Sequence, residues 1–296
     1  MKRSIGLFAV ILLVVFTCTT TRAGHHGTQE QNSKKGILLV TFGTSIPKAQ
    51  EAFDHIDKEV KKAFPDTDVK WAYTSHIIRH KLAEQGQMIP SPEEALARMM
   101  DQGYTHVAVQ SLHTITGQEF HELSRNVKAF ENMAGSIREI HMGYPLLSTQ
   151  EDIEAVSEAV MENIPEERKK EEAVVLLGHG THHPANAFYA ALMFNLQLKD
   201  PNIFVGTVEG WPELDEIQKM LEDKGIETAY LMPFMSVAGD HAMNDMAGSG
   251  EDSWKSVLTE AGIKCVPILK GTAEYDNMVS IWVDHLKTAV DHLEDK

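Results

Sequence analysis

Histidines stand out among the residues whose types and spacing could do chemistry. The chain has 15 of them in 296 residues, and His179 lies between Gly178 and Gly180, directly after an apolar run. A neutral imidazole binds first-row metals and accepts protons near neutral pH. Glycines on both sides remove side-chain bulk where a flat ligand would approach. The segment predicts a ligand-binding loop, and a histidine satisfied only by backbone groups is the alternative.

Two more candidates share this chemistry. Glu209 lies between Val208 and Gly210 after another apolar run, where a partly desolvated carboxylate can hold or relay a proton; a helix-cap or ion-pair role is the alternative. His241 lies in the methionine-rich segment 232–248, whose methionines suit either a large flat ligand or ordinary core filling. Two histidines and one carboxylate predict an open site for a divalent cation such as cobalt, iron, nickel or zinc.

The elements that position these residues form a repeat. Three apolar runs typical of buried parallel strands match three later runs in the same order: 37–42 with 173–177, 69–74 with 203–207, and 106–110 with 229–232. Alignment of the run ends sets His76 opposite Glu209 and Glu119 opposite His241. Three ordered matches indicate a duplicated α/β unit.

Segments with helical spacing separate these runs. They are 49–64, 92–100, 119–130, 150–161, 213–224, 252–261 and 275–293. Alternation of strands and helices predicts two similar Rossmann-like domains, 36–148 and 149–296, each with a parallel sheet flanked by helices. The last helix is expected to pack back on the first domain. Ligands of such folds bind at the carboxyl ends of the strands, so we expect the candidate loops to line one cleft between the domains.

Several segments together resemble a known family. In the second half these are 178–186, 207–212 and 231–248, and in the first half 35–45 and 109–113. They are similar to the motifs of the anaerobic-pathway sirohydrochlorin cobaltochelatases, class II chelatases related to ferrochelatase. The resemblance extends over residues 35–290. It implies a chelatase fold and the insertion of Co²⁺, with Fe²⁺ as a second metal, into a sirohydrochlorin-type tetrapyrrole in cobalamin or sirohaem synthesis.

The resemblance also implies roles for individual residues. His179, Glu209 and His241 would be the metal-binding and catalytic residues, with His179 closest to the metal and accepting a proton. The implied substrate-binding residues are Glu119, His113, Met235 and Met243. Sirohydrochlorin is a polycarboxylate, so locally placed basic residues are also expected, and the candidates are Arg79, Lys81 and Arg125.

The N-terminal segment predicts where in the cell the protein is located, and the net charge indicates which partners it does not bind. Lys2 and Arg3, the apolar run 5–16 and small residues up to Ala23 predict a signal peptide over 1–23, a flexible lead-in over 24–35, and a periplasmic protein. An uncleaved anchor is the alternative, and a lipoprotein through Cys18 is weaker. The run is shorter than the roughly 20 residues of a membrane span, and no later stretch is apolar enough. Acidic residues outnumber basic ones 43 to 27, which argues against general electrostatic binding of nucleic acid.

Export differs from the cytoplasmic location that is normal for this family. It leaves a second hypothesis open, a periplasmic metal- or haem-binding or transport protein derived from a chelatase. Haem iron takes an axial histidine, and the candidate haem ligands are His121, His76 and His80. A zinc hydrolase is disfavoured because the sequence has neither a nucleophile elbow nor a helical His-Glu-x-x-His motif. A homo-oligomer is compatible with the sequence.

Overall fold

Two parallel sheets with the same strand order form the framework of the chain. The computed structural model describes residues 33–133 and 137–293, so the expected signal peptide and most of the lead-in lie outside the described residues. The four-stranded sheets have the orders β2-β1-β3-β4 and β6-β5-β7-β8. The strands are β1 (Lys35–Thr41), β2 (Asp68–Tyr73), β3 (His106–Ser111), β4 (Glu139–Gly143), β5 (Ala173–Gly178), β6 (Ile203–Thr207), β7 (Thr228–Pro233) and β8 (Lys264–Pro267).

Helices connect the strands and cover both sheets. They are α1 (Pro47–Ala63), α2 (His76–Glu84), α3 (Pro92–Asp101), α4 (Gln118–Glu131), α5 (Gln150–Asn163), α6 (Ala187–Lys199), α7 (Leu214–Asp223), α8 (Trp254–Glu260) and α9 (Asp276–Asp291). Local sequence signals set their starts. The Ser91 hydroxyl accepts a hydrogen bond from the Glu94 N–H at the start of α3, and Thr149 and Asp152 form a capping box on α5.

The repeat in the sequence corresponds to a repeat in the structure. The matched runs are β1 and β5, β2 and β6, and β3 and β7, and each pair has the same place in its sheet. The predicted fold class, two Rossmann-like domains with parallel sheets, is confirmed. Strand order reverses beside β1 and β5, so the loops after β1, β3, β5 and β7 lie where open parallel sheets bind ligands.

Four elements were not predicted as such. β4 and β8 are short edge strands of five and four residues, and β8 is only partly buried. Helix α6 is apolar on several sides and leaves Phe194 and Leu198 exposed, so it lacks the one-sided spacing that indicates a helix. Helix α2 was anticipated only through the spacing of His76 and His80. Helix α8 is shorter than expected because the Ser253 side chain caps it at Trp254.

One core joins the two sheets. On one face of each sheet, alternate strand residues pack with α1, α5, α6 and α9 into a single buried cluster, exemplified by Leu39 of β1, Leu176 of β5 and Trp282 of α9. The outer faces form two separate cores, with α3 and α4 on the first sheet and α7 and α8 on the second. The final helix α9 lies against β3, β4 and α1. The predicted domain bounds stay a prediction.

Within 33–133 and 137–293, no helix combines the length and the apolar character that a membrane crossing requires.

Candidate metal and substrate site

Three side chains from three strand ends meet at the edge of the second sheet. His179 follows β5, Glu209 follows β6 and His241 follows β7. One nitrogen or oxygen atom from each lies within 4.8 Å of those of the other two. The imidazole rings of His179 and His241 are perpendicular, with their centroids 4.7 Å apart. This spacing leaves room for one cation between the three groups.

Hydrogen bonding sets which nitrogen of His179 is free. Its Nδ1 lies 3.0 Å from the Gly180 carbonyl oxygen and 3.9 Å from a Glu209 carboxylate oxygen. A carbonyl only accepts, so Nδ1 carries the hydrogen and Nε2 keeps its lone pair. The side chain is 41% exposed, so the free nitrogen can be reached from the cavity.

A carboxylate orients His241 in the same way. The ring Nδ1 lies 2.5 Å from Asp245 Oδ2, which accepts its hydrogen. The residues after His241 form a π-helical turn, Ala242–Met246, which brings Asp245 under the ring. A carboxylate behind a histidine fixes its tautomer and raises its basicity as a metal ligand. The spacing of four residues between His241 and Asp245 was the signal in the sequence, but this partnership was not predicted.

The loops that carry His179 and Glu209 are held against each other. Asn186 accepts a hydrogen bond from the Thr181 N–H (3.0 Å) and donates one to the Trp211 carbonyl (2.6 Å). Gly180 has φ +81°, and a Cβ there would lie 2.6 Å from the Gly210 nitrogen. The expectation that glycine makes room for a ligand is therefore wrong here, because the space is filled by the neighbouring loop.

A cavity of about 740 Å³ lies in front of these three residues. Its walls come from the loops after β1 and β3, from α2, and from the second-sheet loops; they include Phe42, Ile78, His113, Met235 and Val237. Both halves of the chain contribute, as expected for a cleft between two similar units. The volume falls within the range of small-molecule sites.

His113 lies on the cavity wall with its ring nitrogens turned inward. Its Nδ1 is 2.9 Å from the Ser111 hydroxyl, while its Nε2 is buried without a hydrogen-bond partner among the described residues. Burial lowers the pKa of His113 to about 4, so the ring is neutral at neutral pH. Its carbonyl accepts a hydrogen bond from the Trp282 indole N–H at 3.3 Å. Helix α9 thereby supports this part of the wall.

The other predicted substrate residues divide between the cavity and the surface. Glu119 and Met235 line the cavity, but Met243 is 46% exposed and lies outside it. The π-helical turn directs Ala242 and Met246 into the core and leaves Met243 in solvent, and its role in substrate binding stays a prediction. Met232 of the same segment is also buried in the core.

The candidate haem ligands lie outside the group formed by His179, Glu209 and His241. His76 and His80 are stacked, 6.3 Å apart, on the exposed side of α2, and His80 pairs with Glu84. His121 on α4 contacts the His183 ring at 5.1 Å. Among the basic candidates, Lys81 lines the cavity, Arg125 lies in a second cavity beside it, and Arg79 lines neither.

Comparison with known proteins places the chain in a family. The model of the cobalt chelatase (CbiK) family matches residues 35–291. A sirohydrochlorin cobaltochelatase from Nitratidesulfovibrio vulgaris is 43% identical over 263 residues, covering 89% of this chain and 93% of the relative. A sirohydrochlorin cobaltochelatase from Salmonella typhimurium is 37% identical over 259 residues, covering 87% of this chain and 97% of the relative.

Solved structures support the same fold. SirB from Bacillus subtilis with Fe³⁺ superposes with a TM-score of 0.58 at 18% identity, over 88% of this chain and 98% of SirB. CbiX, the terminal enzyme for biosynthesis of siroheme in denitrifying bacteria, gives 0.53 at 15% identity, over 86% of this chain and 99% of CbiX. The resemblance inferred from the motifs is thus confirmed, and the chain belongs to the cobalt chelatase family.

Proposed function

We propose that this protein is a sirohydrochlorin cobaltochelatase that inserts Co²⁺ into the macrocycle within the 740 Å³ cleft. The observation that carries the proposal is the meeting of His179, Glu209 and His241 at the floor of a cavity built by both halves of the chain. Membership of the cobalt chelatase family and the two sirohydrochlorin cobaltochelatase relatives support it.

The three residues would hold the incoming cation weakly enough to release it. Nε2 of His179, Nε2 of His241 and the Glu209 carboxylate supply two imidazole ligands and one oxygen ligand, which suit first-row divalent metals. Three protein ligands leave coordination positions open. Pyrrole nitrogens of a macrocycle in the cleft can occupy those positions before the protein ligands dissociate from the cation.

Metal insertion must also remove two protons from the macrocycle. As the cation moves to the pyrrole nitrogens, Nε2 of His179 regains its lone pair and can accept one proton, and Glu209 or His241 can accept the other. Each proton lost by the ring is then taken by a group that has just lost the metal. The neutral His113 ring lines the opposite side of the same cavity.

The test is cobalt insertion followed by the absorption change of sirohydrochlorin. We expect His179→Ala to lower the rate by about a hundredfold or more, because it removes both a metal ligand and a proton acceptor. His292→Ala is the matched control, since this histidine is exposed just after α9, away from the cleft. Full activity of the His179→Ala variant would contradict the proposal.

The preferred metal is a finer part of the proposal. Two imidazoles and a carboxylate accept both Co²⁺ and Fe²⁺, and affinity alone does not separate these neighbours in the metal series strongly. We propose Co²⁺ as the preferred substrate and Fe²⁺ as a second substrate. Parallel assays with each metal, without oxygen, compare their kcat/KM values, and a higher value for Fe²⁺ would reverse the order.

We also propose that the protein is exported and cleaved after Ala23. The support is the basic start, the apolar run 5–16 and the small residues before Gly24. Cell fractionation with sequencing of the mature N-terminus tests it: a periplasmic protein starting at Gly24 is expected. A cytoplasmic protein that keeps Lys2 and Arg3 would contradict export.

Haem binding through His121, His76 or His80 stays a prediction, as does a homo-oligomer. A Soret band in the protein as isolated would reveal a bound haem, and its loss in one of the three histidine-to-alanine variants would identify the ligand. Turnover and haem binding can be scored independently, so this test also separates an enzyme from a carrier.

A further inference from the structure

A second cavity, of about 540 Å³, opens beside the main cleft. It lies between helix α4 of the first half and the loop after β5 of the second half. Gln118 lines both cavities, so they adjoin at this residue. Its walls also include His121, Glu122, Arg125, Lys128 and His183.

The charged groups of this cavity favour an anion. Arg125 pairs loosely with Glu122, at 3.7 Å, and its side chain is 70% exposed, so the guanidinium keeps free donors. Glu122 is already engaged, because its Oε1 also accepts a hydrogen bond from Gln118. The Lys128 ammonium has no hydrogen bond or ion pair within the part of the chain that the structure describes. The cavity thus holds two positive side chains, Arg125 and Lys128, and one carboxylate that is already hydrogen-bonded, Glu122, although the chain has a net charge of −16.

One histidine of this cavity, His183, is arranged to donate a hydrogen bond. The Ala185 N–H donates to Nδ1 of His183 at 3.1 Å. Since Nδ1 is the acceptor, the hydrogen of the neutral His183 ring must be on Nε2. That nitrogen then has no lone pair to offer a metal. The His121 ring packs against it, with centroids 5.1 Å apart. The ring hydrogen therefore favours an anionic oxygen over a cation as the occupant.

We infer that this cavity is a carboxylate-binding subsite that receives a peripheral acid side chain of the macrocycle seated in the cleft. The inference rests on the proposed function, since it assigns a further part of the same substrate. Three carboxylates, Glu119, Glu209 and Asp240, line the main cleft against one ammonium group, Lys81, so the charges of the lining repel a polycarboxylate. Clustered donors beside the cleft offset this repulsion locally, and they fix which edge of the ring faces helix α4.

The experiment measures binding of metal-free sirohydrochlorin to the full protein by absorbance titration, without cobalt. The double variant Arg125→Gln with Lys128→Gln is expected to bind about fivefold more weakly, the scale for two exposed charge contacts. The loss should shrink at about 1 M salt, where the Debye length is near 3 Å. The charge-preserving double variant Arg125→Lys with Lys128→Arg should bind like the unsubstituted protein.

Lys58→Gln is the control for loss of a positive charge outside the subsite. This exposed lysine of α1 lines neither cavity, so its substitution removes one positive charge, against two in the double variant, without touching the subsite. In turnover assays the double variant should have a higher KM and an unchanged kcat, because His179, Glu209 and His241 are intact.

Two results would overturn the inference. One is equal binding by the double variant and the Lys58→Gln control. The other is Co²⁺ binding in this cavity that disappears in His183→Ala and is unchanged in the double variant. Failure of the proposed function is a separate outcome, in which the unsubstituted protein binds sirohydrochlorin but inserts no cobalt.

Discussion

At the scale of single residues, the position of a proton on each imidazole governs what the cluster can do. Nδ1 of His179 donates to a carbonyl and Nδ1 of His241 donates to Asp245, so Nε2 keeps its lone pair on both rings. His183, only four residues after His179, has the opposite arrangement and presents a donor. Neighbouring histidines of one sequence motif are therefore chemically different, and residue type alone does not predict which is which.

Removal of the carboxylate behind His241 tests this view. Asp245→Ala is expected to weaken Co²⁺ binding roughly tenfold to a hundredfold, because the ring loses its fixed tautomer and orientation. Asp245→Asn should retain part of the affinity, since the amide oxygen still accepts a hydrogen bond. Cobalt titrations followed by visible absorption measure the Co²⁺ affinity of each variant, with Asp240→Asn as the control. Unchanged affinity in Asp245→Ala would contradict the role of this carboxylate.

Gly180 gives a second prediction at this scale. Gly180→Ala forces a side chain onto a backbone with φ +81° and against the Glu209 loop. We expect the free energy of unfolding to fall by about 2 kcal/mol, and cobalt insertion to fall as well, because His179 and Glu209 move apart. Thermal denaturation and turnover of the same preparation measure both. Normal stability together with normal turnover in this variant would contradict the prediction that contact between the two loops is required.

At the scale of elements, a half-buried histidine, His285, joins helix α9 to the first half. His285 lies 3.0 Å from the Tyr144 carbonyl through Nδ1 and 2.9 Å from Asp152 through Nε2. Both partners accept, so the full pair of bonds requires the charged imidazolium. Burial lowers the pKa of His285, but the hydrogen bond and charge of Asp152 outweigh it and raise this pKa above its usual value. Burial likewise raises the pKa of Asp152, and the bond from His285 with two backbone N–H groups brings it below the usual range.

These shifts predict how stability depends on pH. The raised histidine pKa contributes stability that is complete below about pH 6.5 and is lost as the pH rises through that pKa; the lowered aspartate pKa contributes stability above about pH 3.9 that is lost in acid. His285→Gln should therefore cost about 2 kcal/mol near pH 5.5 and clearly less at pH 9. Urea unfolding at both pH values measures the difference, with His292→Ala as control. An equal cost at both pH values would rule out the charged pair.

How far the sequence predicts the elements depends on their burial. β1, β5 and the one-sided helices α1 and α4 follow from apolar runs and spacing, because each has a face that must be buried. Helix α6 is apolar on several sides and the edge strands β4 and β8 are short, so neither spacing nor length identifies them. The π-helical turn that exposes Met243 is set by packing of Ala242 and Met246, which no local pattern reveals.

At the scale of the whole molecule, the duplication explains both the cleft and its asymmetry. The two sheets share strand order, yet His179, Glu209 and His241 all lie on loops of the second, while the first contributes His113 and Glu119 to the cavity wall. Sequence alignment of the two halves brought out the strand-end positions. It could not show that Lys128, His183 and Arg125 share a cavity, because that depends on how α4 meets the loop after β5.

The shared core makes a prediction for unfolding of the whole chain. Alternate residues of β1 and β5 belong to one buried cluster with α9, so neither half can lose its sheet without exposing the other's core. We expect a single calorimetric transition whose calorimetric and van't Hoff enthalpies agree. Two resolved transitions would mean that the halves are independent units and that α9 does not couple them.

The most direct measurement of the central claim is the position of cobalt bound to the protein. Crystals soaked in Co²⁺ and measured at the cobalt absorption edge should give one anomalous peak bonded to Nε2 of His179, Nε2 of His241 and a Glu209 oxygen, at about 2.0–2.2 Å. A peak that lies instead at His76 and His80, or at His121 and His183, with none at the three-residue cluster, would contradict the account.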